Sequence, residues 1–229
     1  MRKDYLWYRK VYSVYHCENC TLRLLPKAIF LLGILFFGSL WGVSEASLGG
    51  FLYRNHIPLA SVPLTIIAFM ILTVAKIYLP QRWSATFIGS IAMLYKFLNT
   101  PFFACHLLAI FLLGLSYDLV LNLFKIKSKA IFGLVATYLG YILFALTITY
   151  VFRYHYWTAE GLPRILRYVG ISGTLTACAN SVLVPASFNF GQILKKRTVN
   201  PFEFKSRLAT GSVSLITLII WFLGIARCF

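Results

Sequence analysis

The sequence predicts an all-α protein, a polytopic bundle of transmembrane helices, on three observations. Of its 229 residues, 59% are hydrophobic and only 12% are charged, and the mean hydropathy is +0.77. Soluble domains carry about 25% charged residues, so this chain has too few polar side chains to cover a surface in water. Its long apolar runs, such as residues 130–152, lack the alternation of transmembrane β-strands and are long enough for helices that cross the hydrocarbon core.

Seven apolar segments are predicted to span the membrane. The third is short, because only 13 residues separate Arg82 from Lys96. They form about 20 Å of helix, which spans the bilayer only if the terminal side chains reach toward the interface. The predicted segments are 28–49, 58–79, 83–98, 101–123, 130–152, 165–190 and 206–226.

The distribution of basic residues favours a cytoplasmic N-terminus in the cell (inner) membrane. With seven spans, 16 of the 22 Lys and Arg residues fall on the cytoplasmic side and six on the outer side. Without the third span the division becomes 13 against nine, which is a weaker asymmetry. The net charge of +16 therefore reflects membrane topology, and nucleic acid is not expected as a partner because no soluble basic module accompanies it.

Residues 1–26 are predicted to be a separate segment ahead of a transmembrane domain of residues 27–229. Basic residues surround four tyrosines that share one face of a predicted helix: Tyr5, Tyr8, Tyr12 and Tyr15. This composition predicts an interfacial helix on the cytoplasmic leaflet of the lipid bilayer. Docking onto a cytoplasmic partner is the alternative.

Two cysteines near the N-terminus, Cys17 and Cys20, follow His16 and are typical of half a metal motif. A structural zinc site needs four ligands, which usually come from two such pairs. The default interpretation is a pair of reduced cytosolic thiols, and metal binding by this pair stays open.

A polar pocket for a small solute or a metal ion is predicted at the outer side of the membrane. Ionisable residues within a membrane are costly and mark functional sites. Four of them fall at the outer level in the seven-span topology, and a mid-membrane amide can form the inner floor of the pocket: Glu45, His56, His106, His155 and Asn180. The alternative is that the histidines, at helix ends, simply lie at the interface.

Within this set, Glu45, His56 and His106 are weak candidate metal ligands, because His and Glu suit zinc, nickel and cobalt. No other cofactor is expected. Glu45 shares one helical stripe with Gly38, Gly42 and Gly49, which directs it toward neighbouring helices.

No catalytic residue is predicted, because Gly42-Val-Ser44-Glu45 matches the Gly-x-Ser-Gly of rhomboid proteases only in part. The chain has no Walker loop, so it is not expected to hydrolyse ATP itself. At the cytoplasmic end of the fourth segment, Asp118 is predicted to form an interfacial ion pair close in depth to Lys76 and Lys125.

The run Trp41-Gly-Val-Ser-Glu45-Ala-Ser-Leu-Gly49-Gly-Phe-Leu, with Asn55-His56-Ile-Pro58 after it, resembles the first helix and outer loop of S components. These are the membrane substrate-binding subunits of energy-coupling-factor (ECF) transporters. The resemblance implies a six-helix core over residues 28–194, with the seventh segment added after it. It also implies a small solute, such as a vitamin-like molecule or a metal ion, bound near the outer face. The implied partners are a transmembrane coupling subunit and two ATPase subunits.

Two other classes of function stay open. One is a polytopic membrane enzyme that uses Glu45 and the histidines on a lipid or isoprenoid substrate. The other is a non-catalytic subunit of a larger membrane complex, in which the glycine stripes serve as interfaces.

Overall fold

A computed structural model of the protein describes residues 25–99, 104–124, 126–198 and 203–226, and the regular structure of these residues is entirely helical. The predictions for the interfacial tyrosines, for Cys17 and Cys20 and for Lys125 lie outside the described residues. In chain order the helices are α1 (Leu25–Arg54), α2 (Ser61–Tyr78), α3 (Ser84–Asn99), α4 (Ala104–Leu123), α5 (Lys129–Leu146), α6 (His155–Thr158), α7 (Leu162–Arg167), α8 (Thr174–Thr198) and α9 (Glu203–Ala226).

Two π-helical turns extend the long helices on either side of the α6 and α7 region. The first, Thr147–Val151, continues α5, and the second, Tyr168–Gly173, joins α7 to α8. Helix α1 already includes Leu25 and Pro26, which the sequence assigned to the N-terminal segment.

Five helical stretches in the described residues are long and apolar enough to cross a membrane. They correspond to the first, second, fourth, fifth and sixth predicted segments: Ile29–Arg54, Ser61–Tyr78, Cys105–Leu123, Lys129–Val151 and Leu162–Lys196. Two shorter apolar helices, Ser84–Leu98 and Gly211–Gly224, coincide with the third and seventh. The all-helical prediction is confirmed, and the number of seven spans stays a prediction.

The glycines of α1 let α3 approach its backbone closely. A β-carbon added to Gly38 would lie 2.6 Å from Cβ of Ile91, and one added to Gly42 would lie 2.6 Å from Cβ of Tyr95. Carbon atoms in contact prefer separations of about 3.5–4.0 Å, so only glycine fits at these two positions. Such close packing associates helices in lipid, where burying apolar surface gives no driving force.

Helix α9 packs against the outside of α1 and α3. The indole Nε1 of Trp221 donates a hydrogen bond to Ser39 Oγ at 2.7 Å, and the Tyr95 hydroxyl donates to the Ile220 carbonyl at 3.3 Å. The opposite face of α9 exposes large apolar side chains, among them Leu218 and Phe222. This arrangement suits a helix that contacts the bundle on one side and lipid on the other.

Among the residues that the structure describes, two buried ion pairs lie at opposite ends of the bundle, and α3 extends from one to the other. At its start, the Thr86 backbone N–H donates to Asp118, which pairs with Lys76. Near its end, Lys96 pairs with Glu45. Thr86 and Lys96 are ten positions apart in α3, about 15 Å along the helix. Lys96 therefore turns into the protein, so the condition under which the short third segment was expected to span, with its terminal side chains reaching toward the interface, is not met at this end.

Candidate functional site

A partly enclosed cavity of about 50 Å³ lies at the end of the bundle where α1 ends and α2 begins. Its volume holds a few water molecules or a ligand of a few heavy atoms. The described polar and aromatic groups that line it come from α1, α2, α3, α4, α5 and the second π-helical turn: Glu45, Tyr53, Ser61, Thr65, Lys96, His106, Tyr141, Phe144 and Tyr168.

The charged wall of the cavity is an ion pair between two helices. Glu45 Oε2 lies 3.0 Å from Lys96 Nζ, and the Trp41 indole donates a longer hydrogen bond of 3.4 Å to Glu45 Oε1. Both charged residues are buried, with 4% of Glu45 and 6% of Lys96 exposed. Each charge compensates the other, which avoids the large cost of an unpaired buried charge.

Gly42 of α1 helps to explain why this pair can form. It brings α3 close at Tyr95, the residue before Lys96. Gly49, on the same stripe, lies beside the ammonium group, since a β-carbon there would be at an ordinary contact distance of 3.8 Å from Lys96 Nζ. The stripe identified in the sequence therefore packs α3 against α1 next to the charged pair.

His106 borders the cavity in the first turns of α4, and its ring stacks on that of Tyr53. The ring centroids are 4.7 Å apart and the planes differ by 19°. Tyr53 belongs to the last turn of α1, so this stack joins the ends of α1 and α4 and fixes the plane of the imidazole. Both residues line the cavity.

The aromatic wall depends on the second π-helical turn, which begins at Tyr168. The Tyr168 ring lies 5.0 Å from that of Tyr141 and 5.7 Å from that of Phe144, measured between centroids. Its third neighbour is Trp157 of the short helix α6, at 5.1 Å. Single π-helical turns recur at functional sites. The chain between the two turns thus contacts the cavity lining through Trp157.

The structure brings two of the five predicted site residues, Glu45 and His106, to one cavity. His56 is exposed in the turn after α1, with a φ of 51°, and His155 is exposed at the start of α6. Neither is among the described lining residues, so the expectation that they share the pocket with Glu45 is corrected. The position of each histidine along the chain can be read from the sequence, whereas the direction of its side chain depends on the local turn.

Asn180 is completely buried but lies between α8 and α5, away from the described lining. Its Nδ2 donates to Thr137 Oγ1 at 2.9 Å, and a β-carbon on Gly133 would lie 2.5 Å from the Asn180 backbone carbonyl oxygen. The NH₂ group thus has its partner in the packing of α8 on α5, whereas Oδ1 is buried with no hydrogen-bond partner among the described residues. Asn180 does not form the floor of the cavity, which corrects that prediction.

Metal binding by Glu45, His56 and His106 does not fit this arrangement. Within the part of the chain that the structure describes, no three His, Cys, Asp or Glu side chains come together as a candidate metal site. The Lys96 ammonium lies 3.0 Å from the Glu45 carboxylate and repels a cation placed beside it.

Sequence reasoning missed most of the aromatic lining. Tyr53, Tyr141 and Tyr168 belong to three different helical segments, and nothing in their spacing links them. Lys96 was considered only as a residue at the end of the short third segment. A signal was available there, since a basic residue in a short apolar segment needs a buried acidic partner.

At the other end of the bundle, Lys76 and Asp118 form a closed polar cluster. Lys76 Nζ donates to Asp118 Oδ1 at 2.7 Å, to Ser84 Oγ at 2.9 Å and to the Gln81 carbonyl at 2.9 Å. Asp118 Oδ2 accepts from the backbone and hydroxyl of Thr86, at 2.8 and 3.0 Å. The pair is buried in protein and is not interfacial, which corrects the prediction. All three ammonium protons are used, so the cluster is structural.

A larger apolar groove of about 830 Å³ lies along α1, α2 and α8. Its described lining contains no Asp, Glu, His, Lys or Arg side chain, and Tyr78 and Ser187 provide its hydroxyl groups. This lining is suited to lipid chains. Charged side chains line the small cavity instead.

No protein-family model, curated protein or solved structure matches the chain. The geometry of the cavity is therefore the basis for assigning a function.

Proposed function

We propose that the protein is a membrane-embedded substrate-binding subunit, similar to the S component of an ECF transporter. In this proposal, α1 to α5 and α8 form the six-helix core, α9 is a seventh, peripheral helix, and the N-terminus is cytoplasmic. The cavity then faces the outer side of the cell membrane and binds a small solute. The observation that carries the proposal is the buried pair of Glu45 and Lys96 at the wall of a cavity.

The contrast between the two buried ion pairs supports a binding role for this cavity. Buried pairs are often no more stable than apolar residues of the same volume, so their presence calls for a reason. Lys76 and Asp118 anchor the start of α3 and are enclosed by hydrogen bonds. Glu45 and Lys96 border open space together with an imidazole and several hydroxyl groups. A pair that served packing alone needs no such space.

The size of the cavity limits the solute. About 50 Å³ suits a molecule of a few heavy atoms. A larger, vitamin-like solute requires the aromatic wall at Trp157 and Tyr168 to move outward. The π-helical turns on either side of α6 and α7 are the natural points for such a movement, because their backbone departs from regular α-helical hydrogen bonding.

Energy for uptake has to come from other subunits in this proposal. The sequence has no Walker loop, so a transmembrane coupling subunit and two ATPase subunits are the partners to seek. Affinity purification of the tagged full chain from its native membrane tests this part. Recovery of an ATPase supports it, and recovery of a fixed set of membrane subunits without any ATPase contradicts it.

Solute binding is tested with the purified full chain in detergent, by thermal unfolding against a collection of small polar solutes. A ligand that binds the folded state raises the unfolding temperature. Ala109 lines the cavity and Ala186 lines the apolar groove, so two matched substitutions separate the sites. Ala109→Phe should abolish solute-dependent stabilisation, and Ala186→Phe should retain it. Equal stabilisation of both variants, or none of the wild-type protein by any solute, would refute the proposed function.

A further inference from the structure

A buried ion pair restricts the charge of any ligand that contacts it. Glu45 and Lys96 are each other's partner at 3.0 Å, and both border the cavity. An anion that binds Lys96 draws the ammonium away from Glu45 and leaves a buried carboxylate with a weakened partner. A cation that binds Glu45 does the same to Lys96. Uncompensated buried charge is strongly unfavourable, so singly charged ligands bind poorly here.

A ligand with both charges escapes this restriction. Its carboxylate contacts Lys96 while its ammonium contacts Glu45, and every charge keeps an opposite neighbour. The two protein groups are adjacent, so the two ligand groups must also be close together. An α-amino acid, in which one carbon joins the ammonium to the carboxylate, has this geometry.

The remaining lining suits the same ligand. Aromatic ring faces attract ammonium groups, and Tyr53, Tyr141 and Tyr168 line the same cavity as Glu45. The Ser61 and Thr65 hydroxyls can donate hydrogen bonds to a carboxylate. The volume of about 50 Å³ favours the smallest members of the class.

We infer that the cavity binds a small zwitterion of the α-amino-acid type, with Lys96 holding its carboxylate and Glu45 its ammonium. This inference rests on the proposed function and narrows its solute to one chemical class. It also separates the site from a metal site, because the Lys96 ammonium occupies the position beside the carboxylate where a metal ion would bind.

Four small probes test the inference on the purified full chain: glycine, acetate, methylammonium and acetamide. Binding is measured by isothermal titration calorimetry and by the shift of thermal unfolding, at constant ionic strength so that screening is the same for each probe. Glycine is expected to bind the wild-type protein at least about tenfold more tightly than the other three. Equal or tighter binding of acetate, methylammonium or acetamide overturns the zwitterion assignment.

Single substitutions of Glu45 or Lys96 should replace the preference for glycine by a preference for a singly charged probe. Glu45→Gln leaves the Lys96 ammonium without its carboxylate, so acetate should stabilise this variant more than methylammonium does. Lys96→Met leaves the Glu45 carboxylate, so methylammonium should stabilise this variant more than acetate does. If neither variant folds, the four probes on the wild-type protein decide alone.

The outcomes distinguish failure of the inference from failure of the proposed function. If acetate stabilises the Glu45→Gln variant and glycine does not bind the wild-type protein, the cavity is accessible but takes another class of solute. That result overturns the zwitterion assignment and leaves the binding function standing. A further outcome is that none of the four probes binds the wild-type protein or either variant, while another solute stabilises the wild-type protein but not Ala109→Phe. The zwitterion assignment then fails, and the binding function stands. If no solute binds at all, both fail.

Discussion

Replacing Asp118 with Asn tests how much the closed polar cluster stabilises the fold. Asp118 is completely buried near the end of α4, and three donors converge on its two carboxylate oxygens. They are Lys76 Nζ at 2.7 Å, the Thr86 backbone nitrogen at 2.8 Å and Thr86 Oγ1 at 3.0 Å. Asn has nearly the same volume, but it carries no charge and one of its two terminal groups is a donor. At least one native donor then faces an NH₂ group.

The expected loss is large because a buried ion pair is broken and its other member remains. Removing one partner of such a pair costs about 3–5 kcal/mol, since the remaining charge stays buried. We therefore expect Asp118→Asn to lower the free energy of unfolding by about 3–5 kcal/mol. The measurement is reversible unfolding of the purified full chain in mixed micelles with increasing denaturing detergent, followed by circular dichroism.

Glu160→Gln is the matched control, because it removes a carboxylate charge from an exposed ion pair. Glu160 pairs with Arg164 and Arg167, and its side chain is 44% exposed. Exposed pairs contribute no more than about 1 kcal/mol, so this variant should unfold almost as the wild-type protein does. The double variant Lys76→Met with Asp118→Asn should recover part of the loss, since no unpaired ammonium remains. A loss below about 1 kcal/mol for Asp118→Asn, or strict additivity in the double variant, would refute the reasoning.

Two further predictions concern helix packing and topology. Gly42→Ala should lower the free energy of unfolding by about 1–3 kcal/mol, because the new β-carbon lies 2.6 Å from Cβ of Tyr95. The control is Gly50→Ala, which should be neutral or stabilising because a β-carbon there meets no neighbouring atom within 4 Å. Equal effects of the two glycine variants in the same unfolding assay would contradict the packing argument. A topology reporter fused after Lys127 should read cytoplasmic and one after Tyr156 external, because of the division of 16 basic residues against six. The reverse pair of readings would remove the third span and the outer position of the cavity.

The positions of the helices could be predicted because apolar runs in a membrane protein coincide with its helices. The fifth predicted segment, 130–152, corresponds to the stretch Lys129–Val151. The direction of Glu45 also followed from sequence, since it shares a stripe with glycines that face α3. Both inferences use local spacing along one helix, which the sequence contains directly.

The composition of the cavity could not be predicted, because it depends on contacts between distant segments. Glu45 and Lys96 are 51 residues apart, and their pairing requires the close approach of α1 and α3. Tyr168 reaches the cavity from a π-helical turn, for which the sequence shows no clear signal. His56 lies in a turn with a φ of 51°, and the sequence did not reveal that it is absent from the described cavity lining.

Helix α3 shows how a short segment can hold the site in place. Its 16 residues form about 24 Å of helix, less than the 30 Å or so of hydrocarbon that a span must cross. A helix of this length in lipid usually sends its terminal charges toward the interface or thins the bilayer. Here the ends are held by protein, with Asp118 at the first turn and Glu45 near the last. A shift of α3 by one residue, about 1.5 Å along its axis, would disturb both pairs at once. The cluster at Asp118 therefore fixes the position of Lys96 at the cavity, some 15 Å away along α3.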